Sequence, residues 1–176
     1  GWYEAQAMQK YGITYCIKHF ALNDQECYRQ GLNTFATEQT LREQYFRAFE
    51  GAFCKGGALG TMLGFNRIGC IPAMTCKAMV TDLLRGEWGF KGHVTPDAYT
   101  SSAYKNHFLE EVAAGVDYYC WDGSNVAAAA IEQIETHDDG YMLQLMRDAA
   151  KHTLYVNSRS ISVNGLTSST RVVDVT

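Results

Sequence analysis

Runs that read as buried strands alternate four times with runs that read as helices, and this alternation constrains the chain more than any other feature. The first strand covers 13–20, β-branched and aromatic up to Lys18 and His19. A helix follows over 38–54, with Leu41, Tyr45, Phe49 and Phe53 repeating every four residues. Thr40 and Glu43 fit a capping box at its start, and Gly56-Gly57 supply a stop. Strand 58–65 precedes a helix over 75–86 closed by Gly86. A short strand, 93–97, is entered through Trp88–Gly92 and leads to a helix over 102–114 that ends at Gly115. The fourth strand is VDYYCW, 116–121, and a last helix covers 139–154.

Strands separated by helices run parallel, because each connection must cross over the sheet. The expected fold class is therefore α/β, a parallel (βα)4 half of a TIM-type (β/α)8 barrel. That half-barrel fills 1–156, and the Ser/Thr-rich tail 157–176 reads as an exit linker or an edge strand. A small doubly wound domain is the rival. It lacks the Gly-x-Gly-x-x-Gly turn after the first strand that would grip a dinucleotide.

With 47% hydrophobic residues in 176, the chain can build a core. No apolar run reaches the ~18 residues of a membrane span, and a net charge of −4 without a basic stripe argues against nucleic acid. Aromatic residues at 12% suit a hydroxylated ligand or plain packing. The cysteines Cys16, Cys27, Cys54, Cys70, Cys76 and Cys120 form no metal-ligand spacing, and no metal or cofactor is expected. Cys16, Cys54 and Cys120 lie in apolar segments and read as small hydrophobes, which fits reduced thiols and a reducing compartment. Secretion or surface anchoring stays open, because Gly1-Trp2-Tyr3 runs straight into helix-like sequence, as in an excised or incomplete chain.

In an eight-fold barrel the reacting groups sit at the C-terminal ends of the strands. Those ends carry Lys18 and His19, then Phe65, Asn66 and Arg67, then Asp97, then Trp121 and Asp122. Alone, Asp97 could be a helix cap, His19 a satisfied core residue and Lys18 a surface lysine. Polar groups at successive tips of apolar strands point together to one mouth.

Three segments resemble glycoside hydrolase family 3, the β-glucosidase and related exo-glycosidase family. KHFALNDQECYR (Lys18–Arg29) resembles its Lys-His-Phe block followed by an Asn-x-Gln-Glu loop and an arginine. TMLGFNRIGCIPA is similar to its Met-x-x-aromatic-Asn strand, and LLRGEWGFKGHVTPDAY to the strand that leads to its nucleophilic aspartate. The LREQYFRAFEGAF helix fits as well. The match spans roughly 13–100 in order and spacing, and more weakly reaches 165.

The resemblance implies the second half of the family's catalytic barrel, with Asp97 as the nucleophile of a retaining double displacement on terminal non-reducing β-D-glycosides. Lys18, His19 and Arg29 would face sugar hydroxyls, with Phe65 and Asn66 beside them. The partners implied are a β-linked oligosaccharide or glycoside, the remainder of the barrel, and an α/β-sandwich domain of the parent chain. The acid/base carboxylate is expected outside this chain, which by itself is expected to be inactive. Asp24, Glu26, Glu87 and Asp122 are the carboxylates nearest a strand mouth. Phe65 stands where many members carry tyrosine, Pro96 where serine or threonine is usual, and Ala98-Tyr99 where a tryptophan is common. These departures leave a catalytically impaired sugar-binding relic as an alternative, and a Lys18 Schiff-base enzyme as another.

Overall fold

The computed structural model describes residues 1–98, 107–120, 123–137, 139–165 and 167–171. Its centre is a parallel sheet of three strands, β1 (Cys16–Phe20), β2 (Gly60–Leu63) and β5 (His93–Thr95), in the order β1-β2-β5. Between β2 and β5 lies a hairpin of β3 (Arg67–Ile68) and β4 (Ile71–Pro72), paired antiparallel. The register aligns Ile17 with Thr61 and Val94, and Lys18 with Met62 and Thr95. Because all three strands point the same way, Lys18, Asn66 and Asp97 emerge at one end of the sheet.

Side chains alternate across a strand, so one face takes Ile17, Thr61 and Val94 and the other Cys16, Lys18 and His93. The first face is buried under helices. Its centre is Phe20, fully enclosed by Phe46, Phe49, Phe53 and Trp88 at ring-centroid distances of 5.1–5.9 Å. Burial of one such ring contributes about 1.5–3 kcal/mol. The opposite face is open at Cys16 and Lys18, which are exposed.

The long helix 38–55 supplies three of those rings. Its winding is mixed: α turns at Glu38–Thr40 and Arg47–Glu50 alternate with wider i→i+5 turns at Leu41–Tyr45 and Gly51–Lys55. Wider turns shift the apolar stripe, so Phe46 joins Phe53 in the core while Tyr45 and Phe49 are only partly covered. The cap is Thr37, whose hydroxyl accepts from the Thr40 amide at 3.2 Å, and not the expected Thr40–Glu43 pair. The next helix, Ala78–Glu87, runs past Gly86, and the chain reverses at Gly89, φ +65°. Gly92 then enters β5 so close to β2 that a Cβ there would lie 2.1 Å from the Leu59 carbonyl oxygen. Only glycine fits that approach.

The expected fourth strand does not form among the described residues of 116–121. The Asp117 and Tyr118 amides both donate to the Val94 carbonyl, at 2.9 and 3.2 Å, while the Val94 amide donates to the Asp117 carboxylate at 2.8 Å. A side chain thus occupies the donor that a strand ladder would use, and pairing stops there. Trp121 and Asp122 lie outside the described residues, as does 102–106 of the expected helix 102–114, which is seen as Phe108–Ala114. Helices Gly123–His137 and Gly140–Asn157 pack with it around Val112, Ala130 and Met142. The tail begins with a short helix, Ile161–Asn164, whose first amide donates to the Gly12 carbonyl at 2.8 Å. Residues 172–176 lie outside the described residues. The buried cysteine is Cys76, whereas Cys16, Cys54 and Cys120, expected to pack as small hydrophobes, are exposed, Cys16 because it stands on the open face of β1.

Candidate active site

Asp97 follows β5 by two residues, and its carboxylate is held from three sides. Oδ1 accepts from the Ala98 amide at 2.8 Å. Oδ2 faces His19 Nε2 at 3.5 Å and Arg29 Nη2 at 3.7 Å. Both separations exceed a tight hydrogen bond, so Arg29 offsets the carboxylate's charge while no donor among the described residues stands at close bonding distance from Oδ2. Asp97 is 16% exposed and His19 23%, which leaves the pair reachable from the mouth.

His19 reaches Asp97 because of a register slip. Lys18 pairs with Met62 and Phe20 with Leu63, so His19 is an extra residue with no partner in the ladder. Such a bulge re-aims a side chain at a strand end. The Lys18–His19 and Phe20–Ala21 peptide bonds are cis. Desolvation pulls the His19 pKa below its ordinary value; Asp97 opposes this, and Lys18 and Arg29 reinforce it. The imidazole is therefore neutral at neutral pH, able both to donate and to accept a hydrogen bond.

Arg29 is fixed by two partners besides Asp97. Its Nη1 donates to Glu26 Oε1 at 3.0 Å, and its guanidinium lies 5.0 Å from the centre of the Phe65 ring. Glu26 also accepts from Asn23 at 3.3 Å. The apolar ring of Phe65 is thus a platform for the arginine, as cation–π geometry requires. Asn66 is buried and donates its amide to the Ala21 carbonyl at 2.8 Å, tying the β1 and β2 tips together. Gly64 beneath it has no room for a side chain: a Cβ would stand 2.5 Å from Asn66 Oδ1. Lys18 lies at the same end of the sheet, exposed, with no hydrogen bond or ion pair to another described residue.

The structure therefore gathers His19, Arg29, Phe65 and Asp97 into one cluster, with Asn66 bracing it and Lys18 at its edge. Sequence reasoning missed Glu26 and Asn23 as anchors, although Asn23, Glu26 and Arg29 recur at three-residue intervals. It also missed the β3–β4 hairpin, which braces the loop after β1 through Arg67 donating to the Gln30 carbonyl at 2.9 Å, while a second bond from Arg67 to the Cys70 carbonyl at 2.8 Å closes the hairpin's own turn.

The other carboxylates singled out in the sequence are engaged elsewhere. Asp24 accepts from the Tyr45 hydroxyl at 2.7 Å, and Glu87 takes two bonds from Arg42 at 2.8 Å, which hold its carboxyl below the usual range. Asp122 lies outside the described residues. Among those residues no cluster of three His, Cys, Asp or Glu side chains could hold a metal, and no helix is long and apolar enough to cross a membrane.

The model of the glycosyl hydrolase family 3 N-terminal domain matches residues 1–154. The chain belongs to glycosyl hydrolase family 3. Beta-glucosidase BoGH3A of Bacteroides ovatus is 30% identical over 162 residues, which cover 90% of this chain and 21% of that protein. Beta-glucosidase B of Emericella nidulans is 38% identical over 92 residues, covering 52% of this chain and 11% of that one. The solved beta-glucosidase 3B from Thermotoga neapolitana in complex with glucose superposes with a TM-score of 0.80 at 25% identity, over 91% of this chain and 23% of its own. The chain spans about a fifth of BoGH3A and of the Thermotoga enzyme. Its parallel α/β fold is that of the TIM-barrel-like N-terminal domain of family 3.

Proposed function

We propose that the complete protein hydrolyses terminal non-reducing β-D-glycosides by retaining double displacement, with Asp97 as its nucleophile. The observation that carries this reading is the Asp97 carboxylate beside a neutral histidine and an anchored arginine, at the end of a parallel strand and within reach of solvent. A carboxylate so placed can attack an anomeric carbon and later leave as the glycosyl-enzyme is hydrolysed. Lys18, His19 and Arg29 bind hydroxyls of the sugar in this account. Phe65 and Asn66 line the site and hold Arg29 and the strand tips in place.

Retention requires a second carboxyl group ~5–5.5 Å from the first, acting as acid and base. Asp24, Glu26 and Glu87 are already engaged by Tyr45, Arg29 and Arg42, which supports an acid/base supplied from outside this chain. The architecture proposed is a (βα)4 half of the family's barrel over 1–156, in which 116–120 runs beside β5 in the place of a regular fourth strand, with 157–176 leading away from it. Its complements are the remaining barrel strands and an α/β-sandwich domain.

Replacing Asp97 with asparagine in the complete enzyme keeps size and shape and removes the nucleophile. Turnover of an aryl β-glucoside is expected to fall ~10³-fold or more, as when a covalent catalytic group is lost. Near-normal turnover with intact folding would make Asp97 a backbone cap and end this assignment.

A further inference from the structure

The carboxylate of Asp97 and the two side chains that face it stand on different elements. His19 and Arg29 belong to β1 and the loop after it, whereas Asp97 follows β5. Their separations of 3.5 and 3.7 Å therefore depend on where β5 lies relative to β1. On one edge β5 is fixed by its pairing with β2. On the other edge no strand forms among the described residues, and the Asp117 carboxylate takes the ladder bond instead.

We propose that Asp117 is a positioning residue for the nucleophile: it sets the outer edge of β5, and through it the place of Asp97 relative to His19 and Arg29. The inference rests on the assignment of Asp97 above.

Asp117 is 3% exposed, and both its oxygens are engaged. Oδ2 accepts from the Val94 amide at 2.8 Å and from Arg85 Nη2. Oδ1 pairs with His152 Nδ1 at 2.9 Å, which keeps the carboxylate from rotating off the strand. Arg85 is held in turn, because it also donates to the Gly92 and Gly115 carbonyls, just ahead of β5 and of Asp117. A further contact at this edge joins Thr95 Oγ1 to Cys120 Sγ at 3.4 Å. Between Val94 and Asp97 stand only Thr95 and Pro96. Thr95 is buried and paired with Met62, and proline locks its own φ near −65°. A displacement of Val94 is therefore carried to Asp97 and not absorbed. Misplacing a reacting group by ~1 Å can cost ~10²-fold in rate, so a network that touches no sugar has leverage over turnover.

The test compares Asp117→Glu with Asp117→Asn in the complete enzyme. Glutamate keeps the charge opposite Arg85 but moves the carboxylate by one C–C bond, ~1.5 Å. Asparagine keeps the position: its oxygen can accept from Val94 and Arg85, and its amide can donate to His152 Nδ1. Asp117→Glu is expected to lower kcat on an aryl β-glucoside about 10- to 100-fold and to change glucose affinity less than about 2-fold, because Lys18, His19 and Arg29 do not travel with β5. The His19 titration, followed by NMR with labelled histidine, is expected to leave its wild-type value, since Asp97 is one of the charges that set it. Asp117→Asn is expected to match the wild type in all three. His152→Ala, at a partly exposed position, frees Oδ1 and is expected to lower kcat about 3-fold; it decides the matter if Asp117→Glu does not fold. Wild-type kcat and His19 titration in the folded variants overturn the inference. So does an equal loss in Asp117→Asn, since charge and not position would then govern. If the His19 titration shifts but the wild-type enzyme cleaves no glycoside, the positioning stands and the hydrolase reading falls. If Asp97 proves to be the nucleophile but Asp117→Glu turns over normally, the reverse holds.

Discussion

Asp97 is placed between one permanent and one conditional positive charge, and the difference matters. A guanidinium is a permanent cation, whereas His19 is held neutral mainly by desolvation. Since its folded pKa lies below the ordinary value near 6.5, protonation is disfavoured in the folded state. Stability from this group is full above that value and is lost as the pH falls through the folded pKa. The carboxylate of Asp97 raises the His19 pKa against that trend. In an Asp97→Asn chain, the His19 ring is therefore expected to titrate at still lower pH by NMR than in the wild type; a rise would mean the two side chains do not sense one another. Lys18, His19 and Asp97 were legible as a set because each lies at or just after the polar tip of a strand, where a charge needs a reason, whereas Arg29, nine residues past β1, was reached only through the family resemblance. The roles of Glu26 and Phe65 were not legible. Phe65 read as a tyrosine that had lost its hydroxyl, and only the guanidinium lying over its ring shows it as a platform.

At the scale of elements, the site depends on how β5 is held. One edge of β5 pairs with β2, and the other is closed by Asp117. That carboxylate is nearly enclosed and accepts from the Val94 amide, from Arg85 and from His152 Nδ1 at 2.9 Å. Arg85 in turn donates to the Gly92 and Gly115 carbonyls at 3.0 and 3.1 Å. The network joins helix Ala78–Glu87, β5 and helix Gly140–Asn157 three residues before Asp97. Asp117→Ala would strand a buried guanidinium and a buried amide, at about 3–5 kcal/mol. The expected outcome is a large fall in melting temperature, and a shift of a degree or two would contradict it. This network also explains why the fourth strand was misread. VDYYC has the composition of a strand, but its aspartate turns inward to replace a ladder bond, and composition does not report that direction. The strands at 16–20, 60–63 and 93–95 were found because β-branched and aromatic runs, bounded by glycine, have few other uses. Boundaries in the long helix shifted because its wider turns arise from packing around Phe20.

At the scale of the whole molecule, the sheet is finished on one face and open on the other. Phe20 and Leu63 lie under helices, whereas Cys16, Lys18 and Tyr118 are exposed, and the outer edge of β1 has no partner among the described residues. An unpaired edge invites another strand. The chain by itself is expected to show at most trace turnover of an aryl β-glucoside and to self-associate in light scattering. Full turnover by a monomeric chain would refute an external acid/base. The central claim, that Asp97 forms a covalent bond to the sugar, is tested most directly by a 2-deoxy-2-fluoro-β-glucoside with an activated leaving group, incubated with the complete enzyme and followed by peptide mass spectrometry. The account predicts one fluoroglucosyl adduct on the peptide that contains Asp97, absent from Asp97→Asn. An adduct on another carboxylate, with Asp97 unmodified, would contradict it.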